Sequence, residues 1–326
     1  PRQSGKTTLV QETFPQKPYV SLENPDERLL AETDSRAFLN RFPNGAILDE
    51  VQHVPQLLSY LQEILDKTDE DGLFILTGSN NILLQENVSQ TLAGRLGVLD
   101  LYPLSYREIS TTGNEYSINQ LIFKGAYPEI YNKNRKPELW YNSYIRTYIE
   151  RDVRQIKNIE NTSLFIKFLK ICAGRIGQQL NVAAISNDCG IDLKTVKSWL
   201  SVLEQTYVVK LVQPYFNNFN KRILKTPKLY FVDTGLACSL LGIRKIDELQ
   251  LSHFRGALVE NFIIMECVKN NANQKKEHSF YYWRDNNGVE IDLIIDRGAS
   301  FLPVEIKSAQ TFSKDFLKNL KKIQNY

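Results

Sequence analysis

The spacing of apolar and polar residues changes along this chain and divides it into three zones. In residues 1–112, short apolar runs alternate with stretches in which apolar residues recur every three or four positions. The first spacing is typical of buried strands and the second of amphipathic helices. Strands that alternate with helices indicate a parallel sheet covered on both faces. The first zone therefore predicts an α/β domain.

Individual elements of this domain follow from the same spacing. Strands are predicted over residues 19–23, 46–49, 73–77 and 98–101, and helices over residues 25–42 and 54–67. Ser105 followed by Glu108 has the spacing of a capping box, which indicates one more helix start. Residues 111–115 look like a linker, so the domain boundary is predicted near residue 112.

Residues 113–220 form a mostly helical second zone, with a helix-turn-helix pattern over residues 181–200. Gly190 falls in the turn, and Asp192 is placed to cap the second helix. The predicted inward positions are Leu193, Val196 and Leu200, and the outward positions are Lys194, Thr195, Lys197 and Ser198. With the apolar run 207–212, this predicts a winged-helix-like domain. Such domains dock in DNA grooves or pack against protein, and both uses stay open.

Residues 221–326 form a third zone that contains a pattern of acidic residues and one lysine. Period-two spacing puts Glu290 and Asp292 on one face of a strand over 283–295, and Glu305 and Lys307 on one face of the strand 303–307. This arrangement is typical of Mg²⁺-dependent nucleases, in which carboxylates bind the metal and the lysine, which is not a ligand, stabilises charge. Glu260, on a helical stretch, is a further candidate ligand. The alternative is a structural salt bridge between Asp292 and Lys307.

The first residues of the chain match the end of the phosphate-loop pattern GxxxxGK[ST], with the first glycine falling one position before Pro1. Such a loop wraps phosphates with backbone N–H groups at the start of a helix, so ATP is the predicted ligand. Lys6 is predicted to bridge the β- and γ-phosphates and Thr7 to bind Mg²⁺. The predicted nucleotide-binding residues are Gln3, Ser4, Gly5, Lys6, Thr7 and Thr8.

Two acids at the end of a predicted strand complete this site. Asp49 is predicted to bind Mg²⁺ and Glu50 to act as base for the attacking water, unless the pair is only an acidic turn. Ser79 is a candidate sensor of the γ-phosphate or, alternatively, a helix cap. Arg95 is a candidate cation for the transition-state charge or, alternatively, a surface salt-bridge partner.

Charge, cysteine spacing and the length of apolar runs limit the binding partners that can be expected. The net charge of +3 is too small to indicate nucleic acid by itself, although basic residues cluster in 221–228 and 314–322, facing either phosphates or solvent. The four cysteines lack zinc-site spacing and predict reduced core residues of a cytoplasmic protein. No apolar run approaches the ~18 residues that span a bilayer, so no membrane partner is expected.

Several short motifs together resemble a family of prokaryotic AAA-type ATPases that carry a C-terminal domain of unknown function. They lie at residues 2–8, 48–52, 76–79, 92–95, 102–105, 125–129, 148–152 and 304–307. The resemblance implies a P-loop ATPase domain over 1–112, a helical, winged-helix-like domain over 113–220 and a restriction-endonuclease-like PD-(D/E)XK fold over 221–326. The absent first glycine and first strand lead us to expect that residues are missing at the N-terminal end, and we expect the same at the C-terminal end.

Three hypotheses follow. The first is a Mg²⁺-dependent ATPase that acts as a nucleotide switch for DNA-associated C-terminal domains. The second is a nucleotide-gated, metal-dependent DNA nuclease, and the third is a non-catalytic ATP-binding regulator or scaffold. AAA-type proteins often assemble so that one subunit's arginine meets another's nucleotide, which leaves a homo-oligomer open.

Overall fold

The computed structural model describes residues 1–68, 70–78, 92, 94–148, 161–215, 226–285, 288–309 and 311–323. The chain divides into two compact units, an N-terminal unit of residues 1–101 and a C-terminal unit of residues 102–326. The described part contains no helix that combines the length and the apolar character needed to cross a bilayer.

A three-stranded parallel sheet forms the centre of the N-terminal unit. Its strands are β1 (Tyr19–Ser21), β2 (Ile47–Asp49) and β3 (Ile75–Leu76), in the order β1-β2-β3. Ile47 and Leu48 in the middle strand are fully buried, as expected for a strand covered on both faces. The predicted parallel sheet of an α/β domain is therefore present.

Helices surround this sheet. They are α1 (Lys6–Thr13), α2 (Pro25–Thr33), α3 (Ser35–Asn40) and α4 (Leu57–Leu65). The single helix predicted over 25–42 is wrong, because α2 ends at Thr33. The carboxylate of the next residue, Asp34, accepts a hydrogen bond from the backbone N–H of Ala37 and caps α3.

The strand predicted over residues 98–101 is also wrong. Val98 and Leu99 are 71% and 75% exposed, and none of the described strands pairs with them. An apolar run forms a strand only where a neighbouring strand accepts its backbone hydrogen bonds, and this one has no such neighbour among the described strands.

Most helices of the C-terminal unit pack around a large aromatic and aliphatic core. The described helices of this unit are α5 (Tyr106–Ser110), α6 (Ile118–Lys124), α7 (Pro128–Asn132), α8 (Pro137–Tyr148), α9 (Thr162–Ala173), α10 (Val182–Cys189), α11 (Leu193–Gln205), α12 (Thr234–Leu240), α13 (Ile246–Leu251), α14 (Arg255–Asn273) and α15 (Lys318–Ile323). The capping box at Ser105 and Glu108 is formed, as predicted.

A five-stranded sheet completes this unit. Its strands are β4 (Val209–Pro214), β5 (Lys228–Phe231), β6 (Ser279–Arg284), β7 (Glu290–Asp296) and β8 (Phe301–Val304). The strand order is β5-β4-β6-β7-β8, and β4 pairs antiparallel with β5 but parallel with β6. One sheet therefore runs across the predicted boundary between residues 220 and 221.

The predicted helix-turn-helix pattern corresponds to α10 and α11. Gly190 ends α10 in the left-handed conformation, and Asp192 caps α11. Val196 and Leu200 are buried as predicted, but Leu193 is 50% exposed, so its predicted inward position is wrong. Leu193 lies in the solvent-exposed first turn of α11, where apolar spacing alone does not bring a side chain into contact with the core.

The long strand predicted over residues 283–295 is two strands. β6 ends at Arg284 and β7 begins at Glu290, and between them the N–H of Asp285 donates to the carbonyl of Val289 at 3.0 Å. The predicted strand over residues 303–307 ends earlier, at Val304, so Glu305 and Lys307 follow β8 rather than lie within it.

Candidate functional site

Residues 1–5 form a tight loop that leads into α1. Gly5 has φ 91° and Gln3 has φ 59°, both in the left-handed region, which a residue with a side chain adopts only at a cost. The Ser4 hydroxyl and the Lys6 ammonium donate to the carbonyl of Pro1 at 2.9 and 2.8 Å. The loop therefore curls back on itself at the start of a helix, where backbone N–H groups favour an anion.

The carboxylate of Asp49 lies where this loop meets the end of β2. It is buried and accepts three hydrogen bonds from hydroxyl groups. Thr7 and Tyr19 donate to its Oδ2 at 3.0 and 2.7 Å, and Thr77 donates to its Oδ1. Thr7 and Asp49 are thus in direct contact, and their role as Mg²⁺ ligands stays a prediction.

Parallel pairing explains how these groups meet. Asp49 is the last residue of β2 and pairs with Ser21 of β1, while the N–H of Thr77, just past β3, donates to the carbonyl of Leu48. The carboxyl ends of parallel strands lie at one edge of a sheet, where α/β proteins place their ligands. The same edge therefore presents Asp49 and Thr77.

Tyr19 lies close to Asp49 although it begins β1. Burial, followed by the hydrogen bond to Asp49, raises the pKa of Tyr19 to about 12. The phenol therefore keeps its proton at neutral pH and acts as a permanent donor to the carboxylate.

Glu50 follows Asp49 directly and has a left-handed backbone, with φ 57°. Its carboxylate accepts a hydrogen bond from the side-chain amide of Gln52, whose own Oε1 is buried and has no hydrogen-bond partner among the described residues. A left-handed non-glycine residue beside a charged cluster is a conformation often found at functional sites. Glu50 thus lies next to the metal candidate, where a base for water is expected.

The donor set at this edge suits a magnesium ion bound with a nucleotide. Hydroxyl and carboxylate oxygens are the ligands that Mg²⁺ prefers, and phosphate-loop proteins supply one hydroxyl and one acid while the phosphates supply further oxygens. Thr7 and Asp49 are such a pair. In the described residues, no three His, Cys, Asp or Glu side chains are spaced to hold a metal ion by themselves.

Arg95 and Ser79 are the remaining predicted residues of this site. The Nε of Arg95 lies 2.5 Å from Oδ1 of Asp66, and the two side chains are 39% and 44% exposed. This contact is a surface salt bridge, which was the alternative interpretation of Arg95 from the sequence. A role for Arg95 in catalysis stays a prediction. Ser79 lies outside the described residues.

A second charged cluster lies in the C-terminal unit around Lys228, the first residue of β5. The Lys228 side chain is only 3% exposed, and its Nζ lies 3.3 Å from Oε1 of Glu260 and 2.5 Å from Oε1 of Glu290. Tyr230 donates to the same Glu260 oxygen at 2.6 Å. Burial lowers the pKa of Lys228, but Glu260 and Glu290 outweigh it and raise the pKa on balance. The ammonium group therefore stays charged.

Asp292, Glu305 and Lys307 form the other part of this cluster. The Nζ of Lys307 lies 2.6 Å from Oε1 of Glu305 and 3.8 Å from Oδ2 of Asp292, which also accepts the N–H of Ile306 at 2.7 Å. The Glu305 side chain is 6% exposed, and its Oε2 has no hydrogen-bond partner among the described residues. Burial raises the pKa of Glu305, against the effect of Lys307.

Three of the four residues predicted for a nuclease-type site, Asp292, Glu305 and Lys307, thus lie together, and the fourth, Glu260, shares Lys228 with Glu290. Burial raises the pKa of Glu260, the ammonium of Lys228 opposes this, and the charge of Asp292 adds to the rise. The arrangement nevertheless pairs the acids with lysines, and the described acids form no group of three spaced for a metal. Metal binding by Glu260, Asp292 and Glu305 stays a prediction.

The basic run predicted to face phosphates or solvent at residues 221–228 needs one correction. Lys228 is buried and paired with carboxylates, because it begins β5, the edge strand that α14 packs against. The other basic residues of that run lie outside the described residues. In the second run, Lys318, Lys321 and Lys322 on α15 are exposed.

Comparison with known proteins supports the nature of the N-terminal unit. Residues 1–110 match the family model of an AAA domain, which indicates an ATP-binding, P-loop ATPase domain. Residues 115–247 and 255–326 match two domains of unknown function, DUF8612 and DUF4143.

Relatives extend over most of the chain. The uncharacterized protein Rv2008c of Mycobacterium tuberculosis is 28% identical over 95% of this chain and 69% of its own length. The uncharacterized protein MJ1544 of Methanocaldococcus jannaschii is 22% identical over 90% of this chain and 70% of its own length. No solved structure gives a significant match.

Several residues of both clusters escaped the sequence interpretation. Tyr19, Thr77, Lys228 and Tyr230 contact the predicted acids, yet none belongs to a spacing pattern that carries chemistry. A signal was present only for Thr77, which follows an apolar run at the end where parallel strands bind ligands.

Proposed function

We propose that this chain is a Mg²⁺-dependent ATPase whose nucleotide state controls how its C-terminal unit engages DNA. The observation that carries the proposal is the contact between Thr7 and Asp49, which joins the phosphate loop to the acidic end of β2. A hydroxyl and a carboxylate in this relation are what a phosphate-loop ATPase uses to hold its metal.

Each residue of the N-terminal site has a role in this proposal. Thr7 and Asp49 would hold Mg²⁺, which neutralises charge on the phosphates when bound. Lys6, whose ammonium group donates to the carbonyl of Pro1, would bind the β- and γ-phosphates. Glu50 orients the attacking water and accepts its proton. Gln3, Ser4, Gly5 and Thr8 supply backbone N–H groups to the phosphates.

Tyr19 and Thr77 are positioning residues. Their hydroxyl groups donate to the two oxygens of Asp49, one to each, and so fix the orientation of the carboxylate plane. A ligand that is held by hydrogen bonds to neighbouring groups loses less entropy when it binds metal.

Exposed lysines in the C-terminal unit support the DNA part of the proposal. Lys194 and Lys197 are exposed on α11, the second helix of the helix-turn-helix pair, which is the helix that such folds place in a groove. Lys318, Lys321 and Lys322 add exposed positive charge on α15. Contacts of this kind neutralise phosphates and make binding sensitive to salt.

The test is ATP turnover, measured with and without duplex DNA, in three proteins. Wild type should hydrolyse ATP, and DNA should change the rate. Glu50→Gln should bind ATP and fail to hydrolyse it, whereas Glu12→Gln, an exposed change on α1, should behave as wild type. Turnover that persists in Glu50→Gln would refute the role of Glu50, and a rate indifferent to DNA would refute the switch.

A nucleotide-gated, metal-dependent DNA nuclease is the second candidate. It is favoured by the proximity of Asp292, Glu305 and Lys307, two acids and a lysine of the kind such enzymes use. Plasmid DNA incubated with Mg²⁺ or Mn²⁺ should then be cut by wild type and left intact by Lys307→Ala. Intact plasmid under all conditions would leave the ATPase switch or a non-catalytic regulator.

A further inference from the structure

We infer that the ammonium group of Lys228, which lies between the carboxylates of Glu260 and Glu290, prevents a divalent metal ion from binding to these two carboxylates. The inference does not rest on the proposed ATPase function, because every residue involved lies in the C-terminal unit.

Contacts fix the position of the Lys228 ammonium group. Its Nζ is within 3.3 Å of Glu260 and 2.5 Å of Glu290, so both carboxylates direct an oxygen at the same nitrogen. Both distances lie within the range of a salt bridge between an ammonium group and a carboxylate. A metal ion that used both oxygens would need the volume that this nitrogen already fills.

An aromatic ring lies on a further side of the ammonium group. The ring of Tyr282 lies 5.4 Å from Nζ, a distance at which a cation is attracted to the ring face. That ring is itself anchored, since its hydroxyl donates to the carbonyl of Thr226 at 2.6 Å and accepts from Gln179 at 2.9 Å. Tyr230 donates to Oε1 of Glu260 and holds that carboxylate in place. Lys228 therefore has little freedom to move aside.

Charge makes the exclusion stronger. A divalent ion placed beside a buried ammonium group would meet repulsion that water does not screen. It would also need about six oxygen ligands, and Oε1 of Glu260 is already shared between Lys228 and Tyr230.

Lys307 provides the contrast within the same cluster. Its Nζ lies 2.6 Å from Glu305 and 3.8 Å from Asp292, but its side chain is 39% exposed against 3% for Lys228. An exposed lysine can turn into solvent at small cost. Lys307 therefore does not block metal binding by Asp292 and Glu305 in the way that Lys228 blocks it at Glu260 and Glu290.

The experiment uses Mn²⁺ as probe with the full chain in the absence of nucleotide. Calorimetric titration gives binding, and thermal unfolding in Mn²⁺ or in EDTA gives stability. Wild type and Glu260→Gln should bind Mn²⁺ identically, because Glu260 is no ligand. Lys228→Met should melt at a lower temperature in EDTA, recover in Mn²⁺ and show one additional binding event.

A charge-matched variant separates this effect from simple damage. Lys228→Met combined with Glu260→Gln removes one charge of each sign, so it should recover part of the lost melting temperature in EDTA and lose the additional Mn²⁺ event. Weaker Mn²⁺ binding by Glu260→Gln than by wild type would overturn the inference, as would a folded Lys228→Met protein that gains no Mn²⁺ binding. If Lys228→Met does not fold in either condition, the comparison of wild type with Glu260→Gln decides.

Discussion

The hydroxyl of Thr7 donates a 3.0 Å hydrogen bond to the carboxylate of Asp49, across 42 positions of the chain. One residue lies in the first turn of α1 and the other ends β2. Their contact ties a loop suited to phosphate to the acid suited to the metal of a nucleotide. Four predictions test what this contact and the packing of the C-terminal unit imply.

Lys6→Ala should abolish most ATP hydrolysis. The ammonium group stabilises charge that develops on the transferred phosphate, and loss of one such group costs about 10²–10³-fold in turnover number. Lys67→Ala is the matched control, since Lys67 is an exposed lysine paired only with Glu63 in an i,i+4 salt bridge among the described contacts. Steady-state phosphate release measures both, and comparable losses in the two variants would contradict the role of Lys6.

Tyr19→Phe should weaken the metal site and cost about 1 kcal/mol of unfolding free energy, because Asp49 loses one hydrogen-bond donor. Turnover should then need more Mg²⁺, with a smaller effect at saturating Mg²⁺. Tyr106→Phe, whose residue is 52% exposed, is the control. An unchanged Mg²⁺ requirement in Tyr19→Phe would show that the phenol does not position Asp49.

Gly125→Ala should destabilise the C-terminal unit strongly. An added Cβ would lie 1.9 Å from the Tyr141 hydroxyl and 2.6 Å from Asp233, and the backbone has φ 68°. Gly113→Ala has a similar φ of 77° but open space around the Cβ, so it carries only the backbone strain of roughly 1–2 kcal/mol. Urea unfolding measures the difference, and equal losses would show that the contact with Tyr141 relaxes freely.

Asp233 should make stability depend on pH. Its carboxylate is fully buried, and burial raises its pKa above 3.8 although hydrogen bonds from Tyr141 and two backbone N–H groups act in the opposite direction. A raised folded-state pKa means that the contribution to stability is complete below the unfolded value and is lost as the pH rises through the folded value.

Asp233→Asn removes this titration. Relative to the variant, wild type should therefore lose stability as the pH rises from 3.8, and the gap should stop changing above the folded-state pKa. Unfolding curves over this pH range measure it, with the exposed Asp315→Asn as control. A gap that changes in the opposite direction would show that the hydrogen bonds outweigh burial.

In the N-terminal unit, motif spacing indicated the loop and the strand end that meet, but not the hydroxyl residues that contact Asp49. Thr7 and Asp49 lie in short patterns that indicate a loop before a helix and the end of a strand, and their contact is consistent with that order. Tyr19 could not be predicted, because hydroxyl residues are common in strands, and for Thr77 the only sequence signal was its place after an apolar run. The structure shows that both hydroxyl groups reach Asp49.

In the C-terminal unit, the sequence indicated candidate acids for a charged cluster but not the buried lysine that compensates their charge. Glu260, Asp292, Glu305 and Lys307 were predicted from strand and helix patterns, whereas Lys228 looked like part of an exposed basic run. Its burial follows from tertiary packing, since α14 packs against β5, the edge strand of the sheet. The opposite error occurred at residues 98–101, where an apolar run found no partner strand among those described.

Calorimetric titration of the intact protein with Mg·ATP tests the central claim most directly. Wild type should release or absorb measurable heat with one saturating site, and Lys6→Ala should lose that binding, while Lys67→Ala keeps it. Absence of any binding heat in wild type at two temperatures, or equal affinity in Lys6→Ala, would contradict the claim that residues 1–8 and Asp49 form a nucleotide site.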